Sequence, residues 1–265
     1  MEEKALRLSA VFLMILTAVS FVLLPKLPAL HTWEVEAREE RIAEEEFAQS
    51  QVTMQNLKIK EQNEAAGAKG ELSIRLPEGV TGDQIAVSND YVTQTIRVEI
   101  PQADRTYFDS YPVLGNSDYI DGLSYTRQGE TGVIEVTTNK VYELQTEYDA
   151  QNFYFNFLTP HEVYDKVVVI DAGHGGRAVG ANKQGINEKD IDLAIVLKLK
   201  EIFDNSDQNI GVYYTRTDDS NPTFDQRVQL ANKSDADLFI SIHNNSTRSG
   251  RMSGTSGTQV MYDET

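Results

Sequence analysis

The sequence predicts an α/β protein. A mainly parallel sheet with flanking helices, truncated at the C-terminal end, is preceded by a small all-β sandwich-like domain and an N-terminal membrane segment. Three observations carry that expectation. An apolar run without charge occupies residues 8–25, a period-two alternation dominates 71–160, and after Pro160 apolar strand-like runs alternate with helical periodicity. The boundaries that follow are 1–30 for the membrane segment, 31–70 for an acidic stalk, 71–162 for the β domain and 163–265 for the α/β domain.

The run at 8–25 lies between Arg7 and Lys26 and includes Val11, Phe12, Leu13, Ile15, Leu16, Phe21 and Val22. At about 1.5 Å per residue it reaches roughly 27 Å, the lower limit for a bilayer core. A cleaved signal peptide is the competing reading, but Leu27-Pro28-Ala29 puts a large residue where a cleavage site needs a small one. Lys4 and Arg7 precede the run while Glu34, Glu36, Glu39 and Glu40 follow it, which places the bulk of the chain outside the membrane. The expected location is therefore the cell envelope, anchored to the cytoplasmic membrane through residues 8–25, or secreted if the segment is removed.

Residues 34–70 are rich in Glu, Gln, Ala and Lys and read as a solvated stalk. Val35, Ile42 and Gln49 are seven apart, but the series ends after two apolar members, short of a coiled coil. From 71 onward the pattern changes. Leu72, Ile74 and Leu76, then Ile96, Val98 and Ile100, then Phe153, Phe155 and Phe157 alternate as strand residues, separated by turns such as Pro77-Glu78-Gly79. The many tyrosines there, Tyr91, Tyr107, Tyr111, Tyr119, Tyr125, Tyr142, Tyr148 and Tyr154, suit either a carbohydrate-stacking surface or half-buried strands, and packing alone favours the second.

Lys166 to Asp171 is a continuous apolar strand of the kind covered on both faces. A helix follows with Ile191, Ile195, Leu199 and Ile202 along one face and Asn187 with Asp190 as its N-terminal cap pair. Ile210 to Tyr214 makes the next strand, Phe224 to Lys233 the next helix, and Asp237 to Ile242 a third strand.

Composition narrows the chemistry. Lys and Arg number 24 against 41 Asp and Glu, a net charge of −17 concentrated in the first 165 residues, so nucleic acid is excluded as a partner. The chain has no cysteine, so any metal must be held by His and carboxylate. His174 directly follows the first strand of the α/β part, in Asp171-Ala172-Gly173-His174-Gly175-Gly176, and His243 occupies the equivalent place after the third. Glu188 opens the helix between them. Two imidazoles and one carboxylate form a three-ligand zinc set that leaves a fourth position for water. Singly, each has an ordinary alternative as a turn residue, a helix-start carboxylate or a satisfied histidine. Asp171 reads as a hydrogen-bonding residue at the strand end, and His31 and His161 as linker or surface residues.

The runs VVVIDAGHGG, GINEKDIDLAIVLKLKEIF, YYTRTDD, FDQRVQLANKSDADLFISIHNN and SGTSGTQVMY over residues 166–265 resemble the zinc-dependent N-acetylmuramoyl-L-alanine amidases of the amidase-3 type. The resemblance implies Zn2+ as cofactor, peptidoglycan as substrate, and hydrolysis of the amide between N-acetylmuramic acid and L-alanine. By motif position His174, Glu188 and His243 match the family's zinc ligands. The β domain is more weakly similar to the AMIN-type wall-binding modules. The family also carries a catalytic glutamate in a late strand, and none appears before Thr265. The general base is therefore expected downstream, the 265-residue chain is expected to be a fragment, and on its own it is expected to be inactive. Arg216 and Arg227 are the substrate-binding expectation, for peptide carboxylates, with ion pairing to Asp218, Asp219 or Asp225 as the alternative. Two other functions stay open: a non-catalytic wall-binding or regulatory protein that retains zinc, and a zinc peptidase acting on the stem peptide.

Overall fold

Alternation of side chains decides the first half of the fold. The computed structural model describes residues 55–61, 70–244 and 257–261. In chain order its early strands are Gln55–Asn56 (β1), Lys60–Glu61 (β2), Leu72–Arg75 (β3), Ala86–Asp90 (β4), Thr95–Pro101 (β5), Leu114–Gly115 (β6), Ile120–Gln128 (β7), Thr131–Thr138 (β8), Glu143–Tyr148 (β9) and Asn152–Leu158 (β10). A short helix, Arg105–Ser110 (α1), sits between β5 and β6 and is capped by Asp104, which accepts from the Tyr107 amide. One sheet has the order β1-β7-β8-β5-β4 and the other β2-β6-β3-β10-β9. Ile96, Val98 and Ile100 from the first and Leu72, Ile74, Phe153, Phe155 and Phe157 from the second meet in one core, as period two requires where each sheet turns one face inward.

The stalk expectation fails over its described part. Leu57 and Ile59 pack against that core, the Leu57 amide donates to Leu123, the Lys60 amide to Val113, and β2 pairs with β6. Apolar residues alternating with Lys58 and Lys60 make this a strand signal, outweighed in the sequence by its polar flanks. The tyrosines divide. Tyr125 and Tyr142 are buried, Tyr119 packs edge-on to the Tyr142 ring and tilted against Phe157, and Tyr111 and Tyr148 are exposed.

The second half alternates strand and helix. After a one-turn helix, Pro160–Val163 (α2), come Lys166–Ala172 (β11), the short hairpin Asn182–Lys183 (β12) and Ile186–Asn187 (β13), Glu188–Asp204 (α3), Ile210–Tyr214 (β14), Phe224–Lys233 (α4) and Leu238–Ile242 (β15). β11 is central and parallel to both β14 and β15. Thr223 caps α4 reciprocally with Gln226. Asn187 is the N-cap residue of α3 but makes no side-chain cap bond, and its amide instead donates to the Asp190 carboxylate.

Each face of β11 finds a different cover. Ile170 and Ala172 pack on Val196, Leu199 and Phe203 of α3. Val167 and Val169 pack with Tyr213, with Leu230 of α4, and with Val141, Tyr91 and Val92 from the β-sheet half. The two halves are thus joined by a shared apolar layer. At its edge the Glu143 carboxylate accepts from the hydroxyls of both Tyr91 and Tyr213. Burial, reinforced by that carboxylate, pushes both phenols well above their ordinary value, so they stay donors.

Two expectations are corrected. The chain is not a mainly parallel α/β protein. It is mixed, with more strands than helices among the described residues, and most of its pairings are antiparallel. The parallel sheet has three strands, and one of its faces is covered partly by the β-sheet half rather than by helices alone. No helix among the described residues is long and apolar enough to cross a membrane, and the run at 8–25 lies outside them. The second correction concerns α3. Of the expected stripe only Leu199 packs against the sheet, Ile191, Ile195 and Ile202 are exposed, and the buried face is the one carrying Glu188, Asp192 and Val196.

Leu230 is wholly buried where the two halves meet. Replacing it by Ala should destabilise the protein by about 2–5 kcal/mol, the usual range for Leu→Ala in a packed core. Urea denaturation measures this. A change below about 1 kcal/mol would show that the junction is loosely packed.

Candidate metal centre

The site begins where β11 ends. After Ala172 the chain turns sharply through Gly173 and His174, and His174 itself has φ +59°, a left-handed conformation that a residue with a side chain adopts only when its surroundings hold it there. Two buried arginines supply that hold. Arg216 Nε donates to the Ala172 carbonyl at 2.9 Å, and its Nη2 to Gly173 at 2.7 Å and to Lys189 at 2.9 Å. Arg227 donates to the Ala172 and His174 carbonyls, both at 2.7 Å. Three successive carbonyls are therefore captured by two guanidinium forks. Gly173 leaves room for the ring of His243, which a Cβ at that position would strike.

Asp171 neutralises the clamp. It pairs with Arg227 and accepts from the hydroxyls of Thr215 and Ser241, each at 2.6 Å, so β11, the end of β14, β15 and α4 meet at one carboxylate. Burial pushes its pKa up, but the two hydroxyls and the Arg227 charge outweigh this and hold it below the usual carboxylate range. Arg216 and Arg227, the expected substrate-binding residues, are 3% and 6% exposed, with their donors turned to main-chain carbonyls and Asp171. A buried fork already satisfied in this way has little left for a ligand.

Glu188 is the first residue of α3 and is 7% exposed. Its Oε2 accepts from the Ala181 amide at 2.7 Å and its Oε1 from the Asn244 amide at 2.9 Å. The same Oε1 lies 3.3 Å from His174 Nε2 and 3.3 Å from His243 Nδ1. The imidazole rings are 4.9 Å apart and nearly perpendicular. Burial raises the Glu188 pKa, but the two amides and the histidines bring it below its ordinary value, so the carboxylate is ionised. Gly180, at φ +67°, lies against this group, where a Cβ would come within 2.6 Å of the His174 ring and 2.7 Å of Glu188 Oε2.

A fourth group joins these three. Asp192, one helical turn after Glu188, is 0% exposed and contributes a carboxylate oxygen to a cluster whose donor atoms all lie within 4.8 Å of one another. Its Oδ1 accepts from the Asn244 side chain at 2.6 Å, while its Oδ2 has no hydrogen-bond partner among the described residues. Burial, reinforced by the Glu188 charge, raises its pKa, and the Asn244 bond offsets this only in part. Two imidazoles and two carboxylates around an orphaned buried oxygen suit a divalent cation. Asp192 is absent from the sequence reading, although its signal was available: a carboxylate at i+4 from Glu188 falls on the same helix face. His161 lies elsewhere, with Nε2 against the Asp235 carbonyl. His31 is outside the described residues.

Residues 168–265 match the family model Amidase_3, N-acetylmuramoyl-L-alanine amidase. The chain is 45% identical over 86 residues to the endolysin of Bacillus phage SPP1, covering 32% of this chain and 31% of that protein. It is 41% identical over 78 residues to the N-acetylmuramoyl-L-alanine amidase CwlM of Bacillus licheniformis, covering 29% and 31%. Among solved structures, the N-acetylmuramoyl-L-alanine amidase of Clostridium difficile 630 matches with 37% identity over 33% of this chain and 48% of that one, with a TM-score of 0.32. The chain thus spans about a third of the length of these curated relatives. The amidase-3 resemblance of the C-terminal part is borne out by the family match and by these relatives.

Removing Arg227 strands Asp171 in the interior. Arg227→Ala should cost about 3–5 kcal/mol, as breaking a buried pair does, and urea denaturation should show it; a loss under 1 kcal/mol would mean the clamp carries little. The pH dependence has a definite sign. A carboxylate whose folded pKa is depressed adds stability that is complete above its unfolded value, about 3.9, and is lost as pH falls through the folded value. Asp171→Asn should therefore flatten the fall in stability below about pH 4 and leave the slope between pH 5 and 7 unchanged.

Proposed function

We propose that this chain carries the metal-binding part of a peptidoglycan amidase, hydrolysing the bond between N-acetylmuramic acid and L-alanine with zinc held by His174, Glu188 and His243. One observation carries the reading: two imidazole nitrogens from different strand ends converge at 3.3 Å on one buried carboxylate oxygen, inside a segment that matches the amidase family. The relatives' names supply the substrate. The cell envelope is the location that such a substrate implies.

When bound, a divalent cation supplies Lewis-acid polarisation of an amide carbonyl and activation of water near neutral pH. The chain's own groups prepare its seat. The Ala181 and Asn244 amides keep Glu188 ionised and fix its orientation. The clamped 172–174 turn aims the His174 ring at Glu188. The His243 side chain is 48% exposed, and it forms the solvent side from which a polymeric substrate approaches. The β-sheet half, 71–162, would then serve as a wall-facing module joined to this domain through the Tyr213 and Leu230 layer.

Metal analysis of the purified protein should find one zinc per chain, and His174→Ala or His243→Ala should remove most of it, because two protein ligands hold zinc far less well than three. Undiminished zinc in both variants would defeat the assignment. Where peptidoglycan is cleaved with this metal centre, the amino termini released should be those of L-alanine. Other amino termini would mean a stem-peptide peptidase instead.

A further inference from the structure

We propose that Asp192 is a fourth protein ligand of the cation, so that the centre is built from two imidazoles and two carboxylates. The inference rests on the reading of His174, Glu188 and His243 as metal ligands and adds a residue to it. Asp192 and Glu188 are one turn apart on α3, on the face packed against the sheet, so both carboxylates enter the centre from the same side. Asn244 Nδ2 holds one oxygen of Asp192, which fixes the carboxylate and leaves Oδ2 as the atom without a partner.

A wholly buried carboxylate oxygen with no donor is unfavourable unless something positive satisfies it. Around Asp192 the described arginines and lysines are engaged elsewhere. Arg216 and Arg227 donate to the 172–174 carbonyls, and Lys189 to Gly176 and Asp219. The groups facing Asp192 are Asn244, Glu188, His174 and His243, with the Arg216 charge near enough to act on it but with its donors spent on carbonyls, and Asn244 already donates its side-chain amide to Oδ1. A cation shared with these residues satisfies Oδ2 directly. The second carboxylate also balances the charge of a dication, and it makes the donor set more oxygen-rich than His2Glu, which shifts preference toward metals that accept carboxylate readily. With a fourth protein donor, water would join as a fifth ligand, an expansion that catalytic zinc sites accommodate.

The discriminating variant is Asp192→Asn in the full chain. It keeps the shape and still accepts from Asn244, but loses the anionic oxygen. After chelator treatment, competition titration with Zn2+ and the visible spectrum of the Co2+-loaded protein are compared for wild type, Asp192→Asn, Asn244→Ala and His174→Ala, with far-ultraviolet circular dichroism of each metal-free form. Asp192→Asn should weaken Zn2+ binding by more than about 100-fold, beyond the 10–100-fold typical of residues that only orient ligands, and should change the Co2+ spectrum. Asp192→Glu, which keeps a carboxylate one methylene further out, should recover part of the affinity. Asn244→Ala should leave the Co2+ band positions unchanged. If Asp192→Asn binds Zn2+ within about tenfold of wild type, or gives the wild-type Co2+ spectrum, Asp192 is no ligand and the inference falls, while loss of metal in His174→Ala would leave the three-residue centre standing. Retention of full affinity by His174→Ala would overturn the centre itself.

Discussion

Everything in the C-terminal half hangs on a clamp of two arginines and one aspartate. A strand that ends in a tight turn exposes its last carbonyls in a place water does not reach, and those carbonyls must find donors. Arg216 and Arg227 supply them for Ala172, Gly173 and His174, and Asp171 supplies the countercharge. The donors that hold the turn also hold His174 in its left-handed conformation. The backbone that carries the first imidazole is thus set by charge buried beneath it, and the ring itself is met by Glu188 and His243. Because Thr215 and Ser241 also bind Asp171, the three parallel strands are brought level at the end that carries His174 and His243.

The same domain is tied to the β-sheet half through an apolar layer that a parallel sheet would ordinarily give to helices. Val141, Tyr91 and Val92 take that place, and Glu143 closes the layer by accepting from two phenols whose burial keeps them protonated. The functional end of β11 and this junction lie on one strand. Val167 and Val169 anchor it in the layer, and Ala172 leads into the candidate metal centre.

The three residues that meet in the candidate centre stand out in the sequence because strand ends are legible: His174 and His243 each follow an apolar run, and Glu188 opens a helix. What surrounds them does not. Helical spacing alone allowed two stripes on α3, and the more apolar one, Ile191, Ile195 and Ile202, faces outward, while the packed stripe begins with two carboxylates. Hydrophobicity misleads where a buried helix face also has to deliver charge, and the apolar pattern therefore does not point to Asp192. The arginines are ambiguous for a related reason. In sequence an arginine near acids suggests a surface pair or a substrate contact, and nothing local says that its partners are carbonyls of a turn some 43 to 55 residues away. Leu57 and Ile59 were hidden by their lysine neighbours, and only their pairing with β6 and β7 makes them strand residues.

The central claim is that the clamped turn, the first residue of α3 and the end of β15 together hold a divalent ion. Zinc K-edge X-ray absorption on the zinc-loaded full chain tests it most directly, since it reads the donors without reference to activity. The account predicts one ordered zinc with two imidazole nitrogens and carboxylate oxygen at about 2.0–2.2 Å, with the imidazole contribution reduced when the 172–174 turn that carries His174 is released by replacing Arg227. A shell of oxygen alone, without imidazole scattering, would contradict it.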